Sequence, residues 1–287
     1  MSCRPVIIIG APRSGTNMLR NLLVQLPRAG TWPCDEINYI WRHGNLRHSS
    51  DRFDTSHARP EVRHYLRRTF DRFAHGRGID TLVEKTCANS LRVAFLNAVF
   101  PKARFVFIVR DGMDAVGSAV KRWHAALDLP YLMKKAIWVP WSDLPYYGAR
   151  FVQNHWYRQR SKEKKLLWWG PKLPGAEELT QQWSVPELCA LQWQACVDTA
   201  ADELAHLDSE RVLQLRYEAL VQDPVSHMTR LAEFVGAPIS VDEAKKITRN
   251  VKSNSVGKGR QAMACDGVDH GVETLICDTL DRFYYGK

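Results

Sequence analysis

The chain has 287 residues, 40 Lys and Arg against 31 Asp and Glu, a net charge of +9, and 45% hydrophobic residues. That length and composition suit one large globular domain, and no apolar run approaches the roughly 20 residues of a membrane-spanning helix. Seven cysteines without a Cys-x-x-Cys pair, and no histidine at zinc-finger spacing, indicate neither a disulfide framework nor a metal site.

Residues 6–9, Val-Ile-Ile-Ile, read as a short buried strand. Gly10-Ala11-Pro12-Arg13-Ser14-Gly15-Thr16 follows at once, and residues 18–26 read as an amphipathic helix. A strand, a Gly-bracketed turn and a helix N-terminus make an anion cradle, because free backbone N–H groups and the positive end of the helix dipole converge there. Gly10 and Gly15 permit the tight turn. The ATP-type loop carries Lys before its hydroxyl residue, whereas here Thr16 follows Gly15 directly and Arg13 is the long cation. That suits a 5′-phosphate bearing a leaving group without a metal. The competing reading is an ordinary strand-to-helix turn.

Residues 60–75 and 89–99 read as helices, and 81–83 as a strand leading to Glu84-Lys85-Thr86. Residues 104–109, Arg-Phe-Val-Phe-Ile-Val, are another buried strand. Arg110 stands at its carboxyl end, where open parallel sheets bind ligands. Ser118 lies roughly two turns into the helix 113–122, and Arg122 one turn further along the same face. A forked cation, a hydroxyl and a second Arg make a terminal-phosphate clamp; a surface Arg-Asp pair with a capped helix is the alternative. Two anion sites at two strand ends argue against coincidence.

Residues 124–184 break the alternation with Trp138, Trp141, Tyr146, Tyr147, Trp156, Tyr157, Trp168, Trp169 and Trp183. Such aromatic faces beside cations suit sugar rings, aromatic acceptors or a lipid tail, or they pack the insertion onto the core. Helices 186–207 and 224–235 and the strand 212–215 resume the pattern. The expected fold is α/β: a P-loop-type parallel sheet flanked by helices, with an aromatic-rich, mostly helical insertion. The expected organisation is a single domain over 1–287, with a core of 1–123 and 185–287 and an insertion over 124–184. Basic residues are scattered, so no nucleic-acid partner is expected. Arg67-Arg68 and Lys162-Glu163-Lys164-Lys165 read as solvated helix faces, although an anionic acceptor stays open.

At these residues the chain resembles the sulfotransferases that use 3′-phosphoadenosine 5′-phosphosulfate (PAPS), most of all the tyrosylprotein branch and its bacterial relatives. The stretch Ala11 to Asn17 is similar to their 5′-phosphosulfate loop, which implies cofactor contacts from Arg13, Ser14, Gly15, Thr16 and Asn17. Arg110 with Ser118 is similar to their 3′-phosphate pair, and Arg122 falls where that branch carries another cofactor arginine. Glu84-Lys85-Thr86 is similar to the catalytic-lysine segment. Tyr217-Glu218-Ala219-Leu220 matches a Tyr-Glu-x-Leu stretch, with Tyr217 expected near the adenine. Asn254 to Arg260 resembles a covering loop, which adds Ser253, Ser255, Val256, Lys258 and Arg260. Gly259 stands there where an aromatic often does. The resemblance spans residues 5–122 and 185–262.

The resemblance implies a transferase that moves a sulfuryl group from PAPS to an acceptor hydroxyl, leaves adenosine 3′,5′-bisphosphate (PAP), and needs no metal. It implies in-line transfer, with Glu36 of Trp32-Pro33-Cys34-Asp35-Glu36 as base, Lys85 at the bridging oxygen and Arg13 neutralising charge. Asp35 is the rival base; His43 or His124 would serve if the chain followed the histidine-base branch. Cys34 and Cys87 read as site walls. A glycan or glycolipid is the first-choice acceptor, and a phenol or peptide tyrosine the second. A P-loop small-molecule kinase is the rival class, disfavoured by the missing Lys before Thr16; a non-catalytic polyanion binder is the third. The Gly- and Ser-rich covering loop is expected to order on cofactor binding. With the first strand starting at residue 6 there is no room for a signal peptide, so a cytoplasmic, bacterial setting is expected. Oligomeric state is not legible.

Overall fold

Val6–Ile9 (β1) has no polar side chain to offer water, and it becomes the central strand of a five-stranded sheet. This is a computed structural model, describing residues 4–123, 137–160, 168–265, 267, 269–283 and 285. The other strands are Ala29–Thr31 (β2), Thr81–Lys85 (β3), Arg104–Val109 (β4) and Val212–Arg216 (β5). The order is β2-β3-β1-β4-β5 and every pairing is parallel, with Val6 opposite Val83 on one side and Arg104 on the other. Two-residue periodicity sends the side chains of β1 and β4 alternately to two cores. Ile7, Ile9, Phe105, Phe107 and Val109 meet Trp41, Phe70 and Trp193 on one face. Val6, Ile8, Val106 and Ile108 meet Leu19, Leu220 and Leu231 on the other. Both faces are therefore dry, as a parallel sheet requires.

The helices are Thr16–Leu23 (α1), Asn38–Trp41 (α2), Pro60–His75 (α3), Val93–Val99 (α4) and Gly112–Trp123 (α5), then Leu144–Arg160 (α6) and Ala176–Gln182 (α7) in the insertion. Val185–Leu204 (α8), Tyr217–Gln222 (α9), Pro224–Val235 (α10), Val241–Thr248 (α11), Lys258–Cys265 (α12) and Asp269–Arg282 (α13) follow. The α/β class expected from the sequence is the one observed.

Three expectations change in detail. β2 carries no periodic apolar signal, because Ala29-Gly30-Thr31 is a half-buried edge. The helix expected over 89–99 is split into a 3-10 turn, Cys87–Leu91, and α4. At the break, Arg92 leaves helical geometry (φ −156°, ψ 37°) and is buried, donating to Asn89 and to Asn38. The segment after residue 235 adds three helices that had not been expected.

The split serves a buried polar chain behind the sheet's carboxyl edge. Glu84 accepts from Thr86 Oγ1 and from Asn89 Nδ2, both at 2.6 Å. Arg92 links Asn89 to Asn38, and Asp51 accepts from Asn38 and Arg42. The insertion joins through Lys172, whose N–H donates to Asp51 and whose carbonyl accepts from the Asp51 N–H.

Burial pushes the Glu84 carboxyl from 4.5 up to about 7, outweighing the Thr86 hydrogen bond and the charges of Arg92 and Lys85. Between those pH values the folded chain holds a proton that the unfolded chain releases. This group's stabilising contribution is therefore full below pH 4.5 and is lost as pH rises through about 7. The expected fall is up to about 3 kcal/mol, and Glu84→Gln should remove that part of the slope. Urea unfolding of both proteins across the window checks it; identical slopes would refute it.

Candidate functional site

A cavity of about 900 Å³ opens at the carboxyl ends of β1, β3 and β4. The loop after β1 turns into α1 through two left-handed residues, Arg13 (φ +69°) and Gly15 (φ +86°). A Cβ on Gly15 would lie 2.4 Å from Cδ2 of Tyr217, so only glycine lets that ring seat against the loop. Gly15, Thr16, Asn17 and Met18 line the cavity, where the first turn of α1 has N–H groups without intrahelical partners. Ser14 is buried, and its hydroxyl has no protein partner among the described residues.

Three guanidinium groups converge beside this loop. Arg13 Nε donates to Ser118 Oγ at 2.9 Å, which joins the two anion motifs read separately from the sequence. Arg110 donates to the carbonyls of Arg13 (3.1 Å) and Ser255 (2.6 Å) and to Asp114 (3.3 Å), with its guanidinium 4.7 Å from the Tyr217 ring centre. Its Nε is buried without a partner. Burial, with repulsion from Arg122 and Arg110, pushes the Arg13 pKa down. Such a cluster is costly unless an anion neutralises it.

On the opposite wall, Lys85 ends β3 with a side chain only 3% exposed, and Nζ donates to Glu36 Oε1 at 3.1 Å. The Cys87 N–H donates to the same oxygen at 3.3 Å. Burial is the largest single influence on Lys85 and works against its charge, but the Glu36 carboxylate, helped by Cys87 and Asp35, outweighs it, and the lysine is held above its ordinary value. Asp35 pairs instead with Arg20 at 3.0 Å. His43 pairs with Asp143 at 2.9 Å and lies outside the cavity lining, and His124 is outside the described residues. Burial pushes the Cys87 thiol well up, so it is a wall and not a nucleophile. Cys34, within 3.1 Å of the Tyr39 hydroxyl, is likewise buried.

The covering segment is held by the protein's own groups. Asp114 accepts from the N–H groups of Gly257, Gly259 and Arg260, and Tyr217 OH hydrogen-bonds Ser255 Oγ. Ser255 and Lys258 line the cavity, whereas Ser253, Val256 and Arg260 do not. Arg260 is turned to Asp111 (3.0 Å) and Glu273 (2.6 Å). Gly259 has a physical reason: a Cβ there would sit 2.3 Å from the Asp114 carbonyl oxygen, and one on Gly117 would sit 2.5 Å from that of Gly259. No aromatic fits between α5 and α12. Gly259→Ala should destabilise the fold by about 1–3 kcal/mol, read as a Tm drop of several degrees; an unchanged Tm would mean that α12 moves aside freely.

Lining residues that sequence reasoning did not assign to the site include Asn38, Ala88, Asp114, Lys121, Trp169, Gly170 and Pro171. The 169–171 turn belongs to the insertion. Buried Gln192 fixes it by donating to the carbonyls of Trp169 (2.8 Å) and Pro171 (3.0 Å). In that turn only Trp169 had left a signal, among the insertion's aromatics.

Fold and site together define a P-loop-type α/β protein with an anion-binding cleft at the sheet's carboxyl edge. The sequence model of the sulfotransferase family matches residues 5–162 and 174–242, and the chain belongs to that family. As a member it is a PAPS-dependent transferase. Similar solved structures include a sulfotransferase from Mycobacterium avium (TM-score 0.53, 15% identity, 100% of this chain and 79% of that one). The sulfotransferase domain of an olefin synthase from Synechococcus PCC 7002 is another (TM-score 0.51, 15% identity, 90% and 88%). At that identity the likeness shows the fold. No curated protein matches the chain in sequence. Among the described residues, no helix is long and apolar enough to cross a membrane.

Proposed function

We propose that the cavity takes PAPS on the Arg13–Arg110–Arg122 side and the acceptor on the Glu36 side, and that the acceptor is a hydroxyl of a glycan or glycolipid. The observation that carries this is the convergence of three guanidiniums with a buried, unpartnered Ser14 hydroxyl and Arg110 Nε: the donor set fits an anion with phosphates at two ends. When bound, PAPS supplies the sulfuryl group and a phosphate leaving group.

The chain's own residues have separable tasks. The Ser14–Asn17 turn and Arg13 hold the 5′ side; Arg110, Ser118 and Arg122 hold the 3′-phosphate. Tyr217 packs beside the adenine, and Ser255 and Lys258 close over it. Lys85 keeps a positive charge where negative charge grows on the leaving oxygen. Glu36 accepts the proton of the acceptor hydroxyl. The held turn at Trp169, facing the cavity with Asn38 and Asp35, offers an apolar face and polar edges of the kind a sugar ring needs. On this reading the insertion supplies the acceptor wall.

The test is calorimetric titration with PAP and, separately, with ATP plus magnesium. Metal-independent binding of PAP supports the assignment. Binding of ATP with magnesium and not of PAP would sink it and put a kinase first.

A further inference from the structure

Glu36 stands between β2 and α2, outside every helix and strand, so no helix or sheet ladder of its own segment fixes its carboxylate. The end of β3 holds it instead. Lys85 Nζ donates to Glu36 Oε1 at 3.1 Å, and the Cys87 N–H donates to the same oxygen at 3.3 Å. Between these two residues stands Thr86, which is fully buried and does not line the cavity. Its Oγ1 accepts from the Ile37 N–H at 3.1 Å and donates to Glu84 Oε1 at 2.6 Å. A backbone N–H can only donate, so the one hydroxyl proton is left for Glu84. Ile37 is the residue directly after Glu36. Three consecutive residues of one segment therefore hold the base: Lys85 and Cys87 by its carboxylate, Thr86 by the backbone that carries it.

Thr86 is itself anchored. The other oxygen of Glu84 accepts from Asn89 Nδ2 at 2.6 Å, and Asn89 Oδ1 accepts from Arg92. Arg92 also donates to Asn38, so residues 37 and 38 are tied to the segment 84–92 by two separate bonds. A buried hydroxyl with both its donor and an acceptor site in use has little freedom to turn, and the β-branch restricts χ1 further. The precision matters for the chemistry. A base must stand within hydrogen-bond reach of its proton, and a misplacement of about 1 Å can cost about 100-fold in rate.

We propose that Thr86 is a positioning residue whose hydroxyl pins the Ile37 N–H, so that the Glu36 carboxylate stays against Lys85 and open to the cavity. Its catalytic meaning rests on the reading of Glu36 as the base; the hold on Glu36 does not.

The experiment is NMR titration of the Lys85 ammonium in the wild type, Thr86→Val, Thr86→Ser, Glu36→Gln and the double variant Glu36→Gln/Thr86→Val. Amide exchange at Ile37 and PAP affinity are measured on each. Valine keeps the shape of threonine and removes the hydroxyl. Thr86→Val should speed exchange at Ile37 at least about tenfold. It should also move the Lys85 titration in the same direction as Glu36→Gln, by less, because a displaced carboxylate supports the ammonium less well. Thr86→Ser, which keeps the hydroxyl, should titrate as the wild type does. In the Glu36→Gln background the valine should add no further shift; a shift transmitted through Glu84 would persist there. A Lys85 titration unmoved by Thr86→Val, or moved equally in both backgrounds, overturns the proposal. PAP affinity should hold in every variant, since Arg13 and Arg110 lie on the opposite wall. If the valine variant fails to bind PAP, the serine variant decides: a Lys85 shift there with the Ile37 amide still protected overturns the proposal, and wild-type behaviour supports it. Near-normal turnover of Glu36→Gln would instead strike the base reading and leave the Lys85 result to stand by itself.

Discussion

Arg110→Ala should lose PAP affinity by about 100-fold or more, while affinity for AMP, which lacks the 3′-phosphate, stays nearly constant. The reasoning starts from position. Arg110 follows β4, beyond Val109, and its side chain is nearly buried. Asp114, two carbonyls and the Tyr217 ring orient the guanidinium, yet Nε keeps a free donor. Each charge-assisted hydrogen bond to a phosphate contributes about 1.5–3 kcal/mol, and a guanidinium gives two in a fixed fork. Two such bonds correspond to a factor of roughly 10²–10⁴. Arg110→Lys should fall between, because an ammonium keeps the charge and loses the fork. Titration calorimetry with both nucleotides decides. Parallel loss for AMP and PAP would mean that the variant merely frees the covering segment by dropping Ser255; no loss for PAP would remove Arg110 from the site. Asp114 retains its three N–H donors from the start of α12 in every variant, so that helix has its own anchor.

Much of this was readable in advance, for reasons that differ by element. β1 and β4 announce themselves because a strand buried on both faces must be continuously apolar. The Gly-bracketed loop and Arg110, which line the cavity, stand out in the sequence because anion binding at strand ends needs particular residues at short spacing. Arg13 and Ser118 were found separately, but nothing in a one-dimensional string says that they touch; the 2.9 Å bond between them follows from β1 and β4 being neighbours. Asn38 was invisible because its value lies in tertiary placement, between Arg92 and Asp51 on one side and the cavity on the other. Arg260 reads as one more cation in a basic loop, and only the fold shows Asp111 and Glu273 waiting for it. Gly259 looked like a departure from pattern; the contact with Asp114 shows it as a steric requirement of α12 crossing α5. β2 escaped because a three-residue edge with one small apolar side chain carries no periodic signal.

Glu36→Gln should lower kcat by about 10²–10⁴ and leave PAP affinity unchanged. Geometry makes the substitution a clean probe. The Cys87 N–H donates to Oε1, and a glutamine oxygen still accepts that bond. What the amide cannot do is take a proton from an acceptor hydroxyl. A second consequence follows from the ion pair. With Glu36 ionised, Lys85 stays charged despite deep burial; without it, burial loses its main opponent and the Lys85 pKa should fall. NMR titration of the lysine ammonium reads this directly and needs no acceptor. Lys85→Ala then separates the roles: it should damage kcat more than PAP affinity, since its charge acts where the transition state gains charge. If PAP affinity alone fell, Lys85 would be a binding residue. Turnover is measured as PAP release with an acceptor on which the wild type is active. Near-normal turnover of the glutamine variant would take the base role from Glu36. It would pass to Asp35, whose pairing with Arg20 at the cavity rim makes Asp35→Asn the decisive next substitution.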